Sequence, residues 1–404
     1  MNTDLDLLQP YPFEKLRRLL DGITPAQLPA VSLSVGEPKH PAPQIALDAM
    51  VASLRKTENY PATRGTDALR QSMASWICRR FHIDESQASR ISDHHVIPVN
   101  GTREGLFAIA QCLIDRRANA RSVLMPNPFY QIYEGAALLA GAHPEFYAID
   151  EQADKNLDDL TDAQLDQCQL IYICTPGNPT GAVNSLAALQ RLIEKAHKHD
   201  FTIVSDECYS EIYREKYGAP CGLLEAANAL GLSHFDRCIA FHSLSKRSNL
   251  PGLRSGFVAG DANIIKRFVE YRTYQGCSMS GVVQEASIAA WNDETHVQLN
   301  RAEYDKKYES VVGILAPVLD VAIPPAGFYL WPKLPVDDAL FTQRLLENHN
   351  VRAVPGSYLA RASNGAVNPG HQRLRLALVA PLEDCTAAAQ RIVDCINTCN
   401  THIH

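Results

Sequence analysis

Between residues 96 and 259 the apolar positions gather into seven short runs, 96–99, 121–125, 145–149, 169–174, 201–205, 238–241 and 256–259, each of strand length. Stretches with helical spacing separate most of them, as at 102–116, 129–139 and 186–199. That alternation predicts an α/β fold with a mainly parallel seven-stranded sheet and helices on both faces. Upstream, 44–56 and 66–81 read as helices around the polar loop 59–65, and 31–35 reads as a short strand ending at Gly36-Glu37-Pro38. The opening, 8–16, is interrupted by proline and then turns helical, an arm that packs on another surface. Beyond Asp261 a long helix is expected around 295–315, strands at 328–331 and 374–378, and a helix at 381–395, which together read as a smaller α+β unit. The expected division is a large domain over 44–292 and a small domain made of 1–43 and 293–404.

In an open parallel sheet, ligands bind beyond the carboxyl ends of the strands. The polar residues of this chain collect there. Asn100-Gly101-Thr102 follows the first run and opens a helix, so the Gly101 and Thr102 amides can face an anion at the positive helix end. Asn127-Pro128-Phe129-Tyr130 follows the second, and Thr175-Pro176-Gly177-Asn178-Pro179-Thr180-Gly181 follows the fourth, with Asn178 as its one side-chain amide. Asp206, in Ser205-Asp206-Glu207-Cys208-Tyr209, ends an apolar strand, where a carboxylate is costly without a cationic partner. After the sixth run comes Ser243-Leu244-Ser245-Lys246, read as a loop, and then Pro251-Gly252-Leu253-Arg254. Two hydroxyls and a guanidinium beside an amine are the equipment for holding a phosphate next to a Schiff base. Gly36 lets the backbone approach a ligand closely. Near the other end, Arg373 and Arg375 sit two apart on one strand face, each able to hold a carboxylate by its planar fork.

Composition narrows the classes. The 404 residues carry a net charge of −7, which argues against a nucleic-acid or membrane-surface partner and leaves an anionic substrate to local arginines. No apolar run approaches the ~20 residues of a membrane span. The 11 cysteines are scattered without a Cys-x-x-Cys pair, and no signal peptide is read, so a reduced, cytoplasmic setting is expected. No Gly-x-Gly-x-x-Gly follows a strand, against a dinucleotide-binding protein.

The run Ser243-x-x-Lys246…Pro251-Gly252-Leu253-Arg254-x-Gly256, with Asn178-Pro179-Thr180-Gly181 and Asp206-x-x-Tyr209 in order, resembles the fold-type I, class I/II aminotransferases over nearly the whole chain. The resemblance implies a pyridoxal 5′-phosphate (PLP) enzyme acting on small amino and keto acids, working as a homodimer with shared active sites. By it, Lys246 carries the cofactor, Asp206 pairs with its ring nitrogen, Asn178 and Tyr209 bond its ring oxygen, and Tyr130 stacks on the ring. Gly101, Thr102, Ser243, Ser245 and Arg254 would hold the phosphate, with Tyr60 reaching in from a second subunit. Gly36, Asn178 and Arg375 would meet the substrate; Arg375 fits the family pattern better than Arg373 because a small residue follows two positions later. No metal is implied. Residues 8–16, 355–361 and 375–381 resemble the N-succinyldiaminopimelate aminotransferase branch, which implies a role in lysine biosynthesis with glutamate as amino donor. An aspartate or aromatic aminotransferase or a carbon–sulfur lyase would keep the same cofactor residues. A non-catalytic regulator on this fold would carry a DNA-binding module, for which the N-terminal arm is too short.

Overall fold

The computed structural model describes residues 1–149, 153–363 and 365–401. Its centre is a seven-stranded sheet built from all seven predicted runs: β2 Val96–Val99, β3 Ser122–Asn127, β4 His143–Ala148, β5 Cys168–Cys174, β6 Thr202–Asp206, β7 Cys238–Ser243 and β8 Gly256–Gly260. The order is β2-β8-β7-β6-β5-β3-β4. Only β8 runs against its neighbours, pairing antiparallel with β2 and β7. The strands are apolar on both sides because both faces are covered. On β5, Ile171 and Ile173 join one core with the helices Asp67–Arg80, Leu186–His199 and Gly281–Asn292, while Leu170 and Tyr172 join another with Thr102–Leu113, Ile132–Leu139 and Ala262–Gln275.

Helix 186–199 shows how locally these elements are specified. The Ser185 side chain accepts the Ala188 N–H as an N-cap, Leu189, Leu192, Ile193 and Ala196 form the buried stripe, and Asp200 closes the helix in the left-handed conformation. Each of the three larger side chains contributes about 1.5–3 kcal/mol on burial, so a charge at Leu192 would unseat the helix.

A separate core joins the two ends of the chain. Val31 and Leu33 pack with Tyr308, Leu315, Leu330, Phe341, Leu374 and Ile392. Here β1 Val31–Ser32 pairs with β10 Val351–Arg352, and β11 Val354–Pro355 and β9 Tyr329–Leu330 flank β12 Leu374–Ala377. The strand expected over 31–35 stops early because the Leu33 carbonyl takes the Ala377 N–H, after which the chain turns toward the cleft between the cores. The lysine-bearing segment also differs from expectation: Leu244–Arg247 is a short helix, started by the Ser243 hydroxyl accepting the Ser245 N–H at 3.1 Å. Among the described residues no helix is long and apolar enough to cross a membrane.

Candidate active site

Beyond the carboxyl ends of β5, β6 and β7 lies a cavity of about 500 Å³. Its wall includes Gly36, Thr102, Tyr130, Asn178, Asp206, Tyr209, Ser243, Ser245, Lys246, Arg254 and Arg375, residues spread over 340 positions of sequence. Strand alternation does much of this work, because Asp206 and Ser243 end neighbouring strands with the same facing.

The Lys246 amine reaches across the cavity and donates to the Gly36 carbonyl, 5.4 Å from the Phe328 ring centroid. Burial, reinforced by the Arg375 charge, brings this amine down to about 8. Asp206 is 4% exposed and accepts from the Tyr133 hydroxyl at 2.7 Å and the Cys208 N–H at 3.3 Å. Burial raises its proton affinity, and among the described residues it is in no ion pair. A protonated ring nitrogen inside the cavity would supply the missing cation. Tyr209 is buried against Phe328 and Tyr329, with its hydroxyl 3.1 Å from the Tyr329 hydroxyl.

Donors for a dianion collect on one side. Gly101 has φ +82°, and a side chain there would run into the Arg254 guanidinium, so only glycine keeps this backbone beside that charge. The Thr102 hydroxyl lies 3.0 Å from the Cys208 sulfur, Ser243 and Ser245 line the same wall, and Arg254 itself donates to the Pro251 carbonyl at 3.0 Å. On the other side stands Arg375, 5% exposed, 4.6 Å over the Tyr329 ring, donating to Ser34 O at 2.8 Å and Asn178 Oδ1 at 3.2 Å. Its Nε is buried without a hydrogen-bond partner. Arg373 lies one residue before β12 and donates to the Trp331 carbonyl at 3.0 Å, away from the cavity wall. Tyr60 is fully exposed and does not line this chain's own cavity.

Sequence reasoning missed four residues here. Tyr133 donates to Asp206 and lies three positions after Tyr130, whose carbonyl accepts the Tyr133 N–H in the turn that leads into helix 132–139. Cys208 lies between Asp206 and Tyr209. Tyr329 faces both Tyr209 and Arg375. Arg103 lines the cavity, donating to the Tyr130 hydroxyl at 2.6 Å and the Tyr11 hydroxyl at 3.3 Å. Its one sequence signal was its position just after the Gly101-Thr102 turn.

The arrangement offers an anion cradle, an amine, a carboxylate in no ion pair among the described residues and a separate arginine. The aminotransferase class I and II family model matches residues 29–392. The chain is 30% identical over 394 residues to an LL-diaminopimelate aminotransferase of Moorella thermoacetica, covering 95% of each. It superposes on the crystal structure of an aminotransferase from Neisseria meningitidis with TM-score 0.91 and 43% identity, covering 98% of this chain and 100% of that one. A structure titled probable N-succinyldiaminopimelate aminotransferase, from Thermus thermophilus, gives TM-score 0.80 at 25% identity, covering 95% and 98%. PLP, whose phosphate, aldehyde and basic ring nitrogen need a cradle, an amine and a carboxylate, fits the donor set found here. The chain belongs to the class I and II aminotransferases and is a PLP-dependent enzyme of that family.

Proposed function

We propose that this aminotransferase moves an amino group from glutamate to N-succinyl-2-amino-6-oxoheptanedioate in lysine biosynthesis. The observation that supports a substrate with acidic groups at both ends is that the cavity wall carries two arginines besides Arg254 of the anion cradle. Arg375 is buried with its fork partly unpaired, and Arg103 is held at the mouth between Tyr11 and Tyr130. The first suits the carboxylate beside the reacting carbon and the second a distal acid. A second reading takes free LL-diaminopimelate, the compound in the names of the relatives. Incubating the holoenzyme and 2-oxoglutarate with N-succinyl-LL-diaminopimelate or with LL-diaminopimelate, and measuring glutamate formed, separates the two. Turnover at least tenfold faster with the free diamine would overturn the succinylated assignment.

In this reading Lys246 carries the cofactor, and Gly101, Thr102, Ser243, Ser245 and Arg254 hold its phosphate, with Tyr60 of a second copy completing the cradle in a homodimer. Tyr130 covers the ring face, Asn178 and Tyr209 donate to its oxygen, and Asp206 faces its nitrogen. PLP supplies an electron sink that makes the substrate's α-proton removable. Lys246, once free, takes that proton at Nζ and returns it, which an amine brought near 8 can do at neutral pH. Arg375 and the Gly36 backbone orient the substrate. The large body over 44–292 would present the cofactor and the small one, 1–43 with 293–404, would close over the substrate, in a cytoplasmic enzyme.

A further inference from the structure

We propose that Tyr133 is a positioning residue for the reaction: its hydroxyl holds the Asp206 carboxylate ionised and aimed at the cofactor's ring nitrogen. The inference rests on the placement of that ring beside Asp206 put forward above.

Tyr133 is fully buried in helix 132–139, and its O–H donates to Asp206 Oδ2 at 2.7 Å. The ring cannot swing away. It stacks on Tyr172 of β5 with centroids 4.6 Å apart and planes 12° apart, and Tyr172 is itself tied by its hydroxyl to the Leu106 carbonyl at 2.7 Å. Asp206 therefore receives a rigid donor from behind, while the Cys208 N–H at 3.3 Å meets its other oxygen. The remaining titratable groups around the carboxylate are the Tyr209 hydroxyl, itself pushed up by burial, the Cys174 thiol of β5, the Cys208 thiol and His242 of β7. Both thiols are pushed up by burial and stay neutral, so neither competes for the role.

A phenol can only donate to a carboxylate while remaining neutral, and burial drives the Tyr133 hydroxyl well above its ordinary range. The bond therefore favours charged Asp206 over its protonated form. A hydrogen bond to a buried charge moves a carboxylate's titration by about one to two pH units. Weakening that charge loosens the proton on the ring nitrogen. With PLP bound, that loss would leave the proton on the Lys246 nitrogen held more tightly.

The test uses the holoenzyme and Tyr133→Phe, which keeps the stack on Tyr172 and deletes only the donor, with Asp206→Asn as the reference. The midpoint of the cofactor's visible absorbance against pH is read alongside kcat and melting temperature. Tyr133→Phe is expected to raise the midpoint by about half a unit or more, in the same direction as Asp206→Asn, and to lower kcat about tenfold with KM less affected. If Asp206→Asn moves the midpoint and Tyr133→Phe does not, Tyr133 is merely packing and the inference fails. If neither moves it, the placement of the ring beside Asp206 fails as well.

Discussion

Arg375 Nη1 donates to the Asn178 side-chain oxygen at 3.2 Å, which joins β12 of one core to the loop after β5 of the other. With Oδ1 engaged, the Asn178 amide is left to donate into the cavity. The second terminal nitrogen of Arg375 donates to the Ser34 carbonyl, while its Nε remains buried without a hydrogen-bond partner. A substrate carboxylate would satisfy it.

Replacing Arg375 by Lys keeps the charge and loses the planar fork. Both half-reactions, with glutamate and with the keto acceptor, should slow about a hundredfold in kcat/KM, the loss of roughly 2–3 kcal/mol of charge-assisted bonding. Single-turnover spectroscopy of each half-reaction measures it. Arg373→Lys should stay within a few-fold of wild type, and the opposite pattern would move the carboxylate site to Arg373.

The Lys246 amine, at about 8, attacks an aldehyde only in its neutral form. Reconstitution of the apoprotein with PLP should therefore slow about tenfold per unit below pH 8 and level off above it. Borohydride followed by peptide mapping should find the label on Lys246. A midpoint near the ordinary lysine value of about 10.4 would show that the amine is solvated.

Arg80 and Glu211 form a buried pair at 2.7 Å, with side chains 12% and 6% exposed, tying helix 67–80 to the segment after β6. Glu211→Ala leaves the guanidinium buried with only the Ser210 and Pro220 carbonyls and no charged partner, a loss of about 3–5 kcal/mol. Glu211→Gln keeps an acceptor and should lose less. Urea denaturation of both variants ranks them, and a loss below about 1 kcal/mol for the alanine would mean that water reaches Arg80 and takes over the bond.

His95 is 1% exposed, donates through Nδ1 to the Gly260 carbonyl at 2.8 Å and accepts from Arg90 through Nε2 at 2.8 Å, which requires a neutral ring. Burial lowers it to about 4 from the ordinary 6.5. The unfolded chain takes up this proton below pH 6.5 and the folded one only near 4. Stability from this group is therefore present above 6.5 and lost as the pH falls to 4, on the order of 3 kcal/mol. His95→Gln should flatten the stability curve between those limits, and an unchanged slope would show that another group carries it.

The seven strands, the order of the polar strand ends and the gathering of Lys246, Asp206, Asn178, Tyr209 and Arg254 at one cavity were legible from the chain alone. Apolar periodicity sets which side of a strand is buried, and the loops that follow carry compact motifs whose members are sequence neighbours. Element ends were less legible. The strand at 31–35 was cut to Val31–Ser32 by a hydrogen bond from Ala377, 346 positions from Val31. Arg373 and Arg375 offered the same chemistry two residues apart, and packing separated them by burying one against Tyr329 in the cavity and tying the other to Trp331. Tyr133 lies 73 residues from the carboxylate it hydrogen-bonds, and Arg103 in sequence looks like any solvated helix-start arginine. Local sequence determined elements and motifs because their energetics lie within a few residues. Which side chain meets which across the cavity depends on contacts between distant segments, and only the packed tertiary structure decides those.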